Sequence, residues 1–194
     1  MTSGPCSGAL PVTAHRAALK EYLTFGLGDD AYAVALADVR ELVAGHDVAP
    51  IAGTSAFIRG CIELRGKPLV VLDPRVELAV PRAADARPST LLIVRHEAGG
   101  AWVTAGLLVD EVFGVARLTD NEIDTSGRND EARSPMVVGV AAFDGRKLAL
   151  LELERLWSPT RRAEVVCLTK QLSQLGATTR SSGVTAAERM GGTT

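Results

Sequence analysis

The chain has 194 residues, 46% of them hydrophobic and 23% charged, with a formal net charge of −2 and a pI near 5.9. That length suffices for one good core or two small ones, and that charge supplies no global basic field for nucleic acid or an anionic membrane. Cys6, Cys61 and Cys167 lie far apart without a CxxC pair, which argues against a disulfide framework or a zinc site and fits a reducing cytoplasm. Met1-Thr2-Ser3-Gly4-Pro5 carries neither the basic nor the apolar region of a signal peptide. No apolar run reaches the roughly 18 residues that span a bilayer.

Residues 1–19 are small and polar and read as a flexible lead-in. Runs 22–27 and 31–36 read as strands around Gly28-Asp29-Asp30, making a hairpin. Val39, Leu42 and Val43 stand at helical spacing with Gly45 behind them, which predicts a short helix over 38–43. Residues 50–55 are loop-like. Residues 57–75 hold two short apolar runs broken by Arg65-Gly66, a second hairpin with Gly66 at φ > 0 and Arg65 at the tip. Pro74, Pro81 and Pro88 then punctuate an exposed Ala- and Arg-rich link.

Run 90–95 is a buried-type strand, 97–100 turns the chain, and 102–109 returns it. Residues 112–118 continue the β pattern, and 119–135 are polar and irregular. Apolar runs 137–143 and 147–151 flank Asp144-Gly145, one of the strongest short hairpin signals. Residues 153–157 make a helical turn or two, closed by Ser158-Pro159. Val165, Leu168, Leu172 and Leu175 recur at helical spacing, giving a helix over 161–175 with Gly176 as its C-cap. Residues 177–194 read as disordered.

Repeated hairpins with few long helical patterns predict an all-β barrel or sandwich over about 20–158, flanked by the lead-in and a separable extension over 159–194. The link at 74–88 either joins two small barrels or is a loop in one, and the sequence leaves both open.

Few residues carry chemistry. Gly26-Leu27-Gly28-Asp29-Asp30-Ala31 matches G-x-G-x-x-A after a strand, with Asp47 some distance on, as in a dinucleotide site. Such a site needs a helix N-terminus facing the pyrophosphate, whereas Asp29 and Asp30 would repel it and 31–36 reads as a strand; a hairpin turn is the better reading. His15, His46 and His96 fall at no ligand spacing. No GxSxG elbow or GxxxxGK[ST] loop is present in the sequence. Cys61 lies in an apolar strand and reads as a small hydrophobe rather than a nucleophile. Asp110 and Glu111 are adjacent strand residues facing opposite sides, so they read as one turn-bound and one solvated acid. A nucleic-acid-binding barrel wants basic grooves and stacking aromatics, and 4% aromatic content speaks against it. Neither a metal nor a cofactor is expected.

Several of these segments recur together in one family, in the same order. Residues 22–25, 32–34 and 39–42, the Leu64-Arg65-Gly66 turn with the strands around it, Val109-Asp110-Glu111-Val112, and 147–151 together resemble the CheW-like adaptors of bacterial chemotaxis arrays. The resemblance covers about residues 20–158. It implies two intertwined SH3-like five-stranded β-barrels and no catalysis. It also implies a cytoplasmic adaptor that couples methyl-accepting chemoreceptors to a CheA-type histidine kinase and meets the membrane only through partners. A variant of the same reading is an adaptor in a chemotaxis-like pathway controlling pili, gliding or development. The implied partner-binding residues are Arg65 with Gly66 and Glu63 beside it, together with Val39, Glu41, Val109 and Val112. The receptor would use an apolar groove between the barrels, and the kinase their loops. Two departures stand out: Glu63 replaces the family's frequent Asn and adds a carboxylate with which Arg65 could pair, and Pro74 interrupts its Asp-Leu-Arg, so strand pairing should end early there.

Overall fold

The apolar runs fold into two sheets in the computed structural model, which describes residues 18–44, 47–81, 90–98, 101–126 and 134–183. The lead-in to residue 17, residues 45 and 46, residues 82–89 in and just after the proline-punctuated link, the glycines at 99 and 100, residues 127–133 and the tail from 184 lie outside the described residues. One sheet comprises β1 (Lys20–Leu27), β2 (Asp30–Ala35), β8 (Glu111–Leu118), β9 (Ile123–Asp124), β10 (Val137–Phe143) and β11 (Arg146–Leu151), in the order β8-β1-β2-β11-β10-β9. The other comprises β3 (Val39–Ala44), β4 (Ile58–Leu64), β5 (Lys67–Leu72), β6 (Thr90–Ala98) and β7 (Ala101–Val109), in the order β3-β6-β7-β5-β4. These are the two SH3-like barrels. The chain starts the first, builds the whole of the second, and returns to finish the first, which is the sense in which they intertwine. The two-residue β9 gives the first sheet a sixth strand.

Turn chemistry sets the registers. Leu64 pairs with Lys67 across Arg65-Gly66, and both turn residues have positive φ, 51° and 75°, the pattern of a type I′ turn. Asp144-Gly145 repeats it, with φ of 51° and 72°. Leu27 pairs with Asp30, so the nucleotide-like Gly28-Asp29 segment is a hairpin turn leading into a strand, as read. β5 ends at Leu72, just before Asp73-Pro74, and α1 (Arg75–Leu78) follows.

Two expectations change. Residues 39–44 form strand β3 rather than a helix. Val39, Glu41 and Val43 are half-buried, while Arg40, Leu42 and Ala44 point outward; Leu42, 49% exposed, is the residue that imitated helical spacing. The C-terminal helix α3 (Pro159–Gly183) follows α2 (Leu153–Leu156), and it passes through Gly176 instead of stopping there, so the start of the stretch read as disordered is helical. Pro159 sits at the first helical position, where its missing N–H costs nothing, and the Arg161 N–H donates to Ser158 Oγ at 3.4 Å.

Alternation along the central strands divides the core. Val70, Leu72, Leu92, Val94, Ala105 and Leu107 face a core shared with Leu23, Phe25, Leu27 and Val34 of the first barrel. Leu69, Val71, Leu91 and Ile93 face the interior of the second barrel. Both faces are therefore buried, which explains why these strands read as unbroken apolar runs. Val165 of α3, only 1% exposed, joins the shared core, with Val166, Leu168 and Leu172 packed against it. The first turns of the extension, from Val165 to Leu172, thus pack on the shared core. Glu164 accepts from the Ser55 N–H at 3.1 Å and from its hydroxyl at 3.2 Å, and Arg161 lies 4.9 Å over the Phe57 ring and pairs with Glu77. Among the described residues no helix is long and apolar enough to cross a membrane.

Candidate functional site

Arg65 is the first residue of the type I′ turn, at φ 51°. A left-handed backbone costs a residue with a Cβ on the order of 1 kcal/mol, so glycine, asparagine or aspartate would suit the position better. Its side chain is 78% exposed and donates from Nη2 to Glu41 Oε2 of β3 at 2.6 Å. The sequence allowed Glu63 as the partner. Instead Glu63 lies exposed on β4 opposite Pro68, and the arginine reaches across to β3. Exposed pairs of this kind are worth about 0–1 kcal/mol. The fold therefore gains little from a strained, outstretched arginine.

Arg65 and Glu41 open onto a cavity of about 1000 Å³. One wall is the ends of β3 and of the β4–β5 hairpin, with Arg40, Leu64, Lys67 and Leu69; another is β6 and β7, with Ile93, Arg95 and Trp102; the third is α3, with Val166, Thr169, Lys170 and Ser173. Trp102 is 54% exposed, with the Arg95 guanidinium 3.8 Å above its ring. No local sequence signal brings these residues together, because they come from four separated segments.

The other implied residues sit elsewhere. Val39 and Val112 are half-buried and pack on the rim of the shared core. Val109 is fully buried in that core and belongs to packing, not to a surface. Next to it, Asp110 fastens the two barrels together. Its Oδ2 accepts from the Gly28 N–H at 2.8 Å, its own N–H donates to the Gly26 carbonyl at 3.0 Å, and its Oδ1 pairs with Arg75. Arg75 is buried and also donates to Asp73 Oδ1 at 3.0 Å. Asp110 is thus the turn-bound acid and Glu111 the exposed one. Burial pushes the Cys61 thiol upward, which suits a packed residue and not a nucleophile.

A CheW-like domain matches residues 21–160. The chain is 31% identical over 147 residues to the chemotaxis protein CheW of Klebsiella aerogenes, covering 75% of this chain and 86% of that one. It is 28% identical over 141 residues to the chemotaxis protein CheW of Thermotoga maritima, covering 72% and 89%. Among solved structures, the scaffolding protein TtCheW from Thermoanaerobacter tengcongensis superposes with a TM-score of 0.60 at 28% identity, over 70% of this chain and 90% of that one.

Proposed function

Because this chain belongs to the CheW-like family, matched over residues 21–160, we propose that it is a non-catalytic chemotaxis adaptor that couples methyl-accepting chemoreceptors to a CheA-type histidine kinase. It would work in the cytoplasm, held at receptor arrays through these partners. The observation that carries the reading is Arg65. A side chain that strains its turn, stands out in solvent and makes only a surface ion pair is better accounted for by a partner than by folding. In the bound state its planar fork would exchange Glu41 for, or share it with, an acceptor on the partner. Glu41 holds the fork aimed across the cavity and so lowers the ordering cost of binding. Val39 and Val112 would contribute apolar contacts at the seam between the barrels; Gly66 shapes the tip, and Glu63 adds charge beside it.

The test uses Arg65→Asn, which suits a left-handed turn position and so keeps the hairpin. Affinities for the cognate kinase's regulatory region and for the receptor's cytoplasmic tip are measured by titration calorimetry. An arginine at a desolvated interface centre is worth about 2 kcal/mol or more, so roughly thirtyfold weaker binding to at least one partner is expected. Arg65→Lys should recover only part of it, since an ammonium lacks the bidentate fork. Wild-type affinity of Arg65→Asn for both partners would overturn the assignment.

A further inference from the structure

The cavity beside Arg65 carries a charge that the chain as a whole does not. In a protein of net charge −2, its lining holds Arg40, Arg65, Lys67, Arg95 and Lys170 against the single carboxylate of Glu41, and Glu41 is already paired with Arg65. Glu63 and Glu97 neighbour the lining along their strands but are not part of it. Arg40, Lys67 and Lys170 are exposed and make no ion pair among the described residues. Arg40 and Lys67 stand on one wall and Lys170 on the wall formed by α3, with Arg95 on the wall of β6 and β7, so the field converges on the space between them. Trp102, with Arg95 stacked on its ring, supplies the apolar contact, and Leu64 and Leu69 supply more. The Lys170 wall belongs to α3 beyond residue 160, past the end of the family match.

From this charge complementarity we infer that the groove between α3 and the second barrel is a docking site for an acidic segment of a protein partner. The segment would place two or more carboxylates against Arg40, Lys67 and Lys170, and an apolar side chain against Trp102. A volume of about 1000 Å³ takes several side chains, not a folded domain. A protein occupant is favoured over nucleic acid because the groove offers one exposed ring and not a row of them for stacking bases. It is favoured over a membrane surface because the cations line a concave cleft and not a flat face. The inference rests on the adaptor reading for the occupant being a protein, and it makes α3 a determinant of which partner is chosen.

The experiment titrates the full chain with a fluorescein-labelled twelve-residue peptide of alternating Glu and Leu, followed by anisotropy, with the Gln-for-Glu peptide as control. The wild type should bind the acidic peptide at least tenfold more tightly than the neutral one, and binding should weaken at 0.5 M salt, where screening shortens the reach of the cations. Lys67→Glu with Lys170→Glu, reversing opposite walls, should lower affinity a further tenfold or more, and Trp102→Ala should lower it without removing the salt dependence. Should the double reversal alter the melting curve, Lys67→Gln with Lys170→Gln replaces it, with a smaller loss expected. Equal binding of the two peptides, or indifference to the charge changes, overturns the inference. So does tighter binding, through the same residues, of phosphatidylglycerol vesicles or a single-stranded oligonucleotide. The peptide result stands apart from Arg65→Asn against kinase and receptor: wild-type affinity there would sink the adaptor site and leave the groove to be decided by its own titration.

Discussion

Replacing Arg75 by Met tests the junction between the barrels. The guanidinium is 5% exposed and bridges Asp73, 10% exposed, to Asp110, 21% exposed. Asp110 also holds the Gly28 N–H. Methionine keeps most of the volume but removes the cation, leaving two carboxylates with little water to solvate them. Breaking a buried pair by removing one partner costs about 3–5 kcal/mol; Asp110 retains some solvent, so about 3 kcal/mol is expected. For a chain of this size that corresponds to a melting temperature lower by roughly 6–12 °C. Urea unfolding at neutral pH, read by circular dichroism and tryptophan fluorescence together, measures it and tests for two-state behaviour. Adding Asp73→Asn and Asp110→Asn to Arg75→Met removes the orphaned charges, while the new amide oxygen at position 110 can still accept from the Gly28 N–H. At least half of the loss should then return, because an uncharged replacement of a buried ionic cluster is often close to neutral. The reasoning fails if Arg75→Met stays within about 1 kcal/mol of wild type, or if the triple variant is no more stable than the single one.

Gly60→Ala should destabilise by about 2 kcal/mol or more in the same assay, because its Cβ would lie 2.1 Å from the Ala49 carbonyl oxygen at φ 151°, a backbone neighbour that cannot swing aside; near-wild-type stability would mean that the Ala49–Cys61 bridge is dispensable. Val165→Ala should cost about 2 kcal/mol through lost burial in the shared core; an unaffected Val165→Ala protein would show that α3 is not docked in solution. Desolvation holds the Asp38 carboxyl above its ordinary value of 3.8, with nearby His96 acting the other way. Its contribution to stability is therefore present below that value and is lost as pH rises through the raised one. Asp38→Asn should raise stability at pH 7 and leave it unchanged near pH 3; a loss at pH 7 would mean that the carboxylate is held by attraction to His96.

Much of the fold is legible in the sequence because turn residues and alternation act locally. Arg65-Gly66 and Asp144-Gly145 admit the two positive φ values of a tight hairpin, and the apolar runs beside them have nowhere to go but a sheet. β3 imitates a helix because Leu42 faces solvent, and an exposed leucine distorts a period of two into something nearer four. The docking of α3 is not legible: Val165 and Leu168 announce an amphipathic helix, but only the neighbouring Phe57, Ser55 and Glu77 decide what it packs against. The candidate site divides the same way. Arg65 at an exposed tip follows from its turn, and the Asp110 turn contact from its place at a strand end. Glu41 as the partner of Arg65, and the gathering of Arg40, Lys67, Arg95 and Lys170, depend on register between strands far apart in sequence.

The path of the chain through its two barrels has a bearing on synthesis. β1 and β2 emerge first, yet the parallel neighbour of β2 is β11, where Ala31 pairs with Leu148, and β8 must arrive to pair with β1. The second barrel has all its strands between Val39 and Val109, so it can close while the first is still half made. At about 5–20 residues per second, the opening hairpin waits roughly 4–15 s for β8 and roughly 6–23 s for β11. During that wait Leu23, Phe25 and Val34 are covered only if the half-built barrel leans on the finished one, through the shared core that already contains Val70, Leu92 and Leu107. The second barrel, once closed, offers the apolar surface on which the first could be assembled. Loop-closure entropy for the β2–β11 pairing falls on a chain whose two halves are already held together, and a nascent chain stalled before β8 would expose that apolar seam to other proteins.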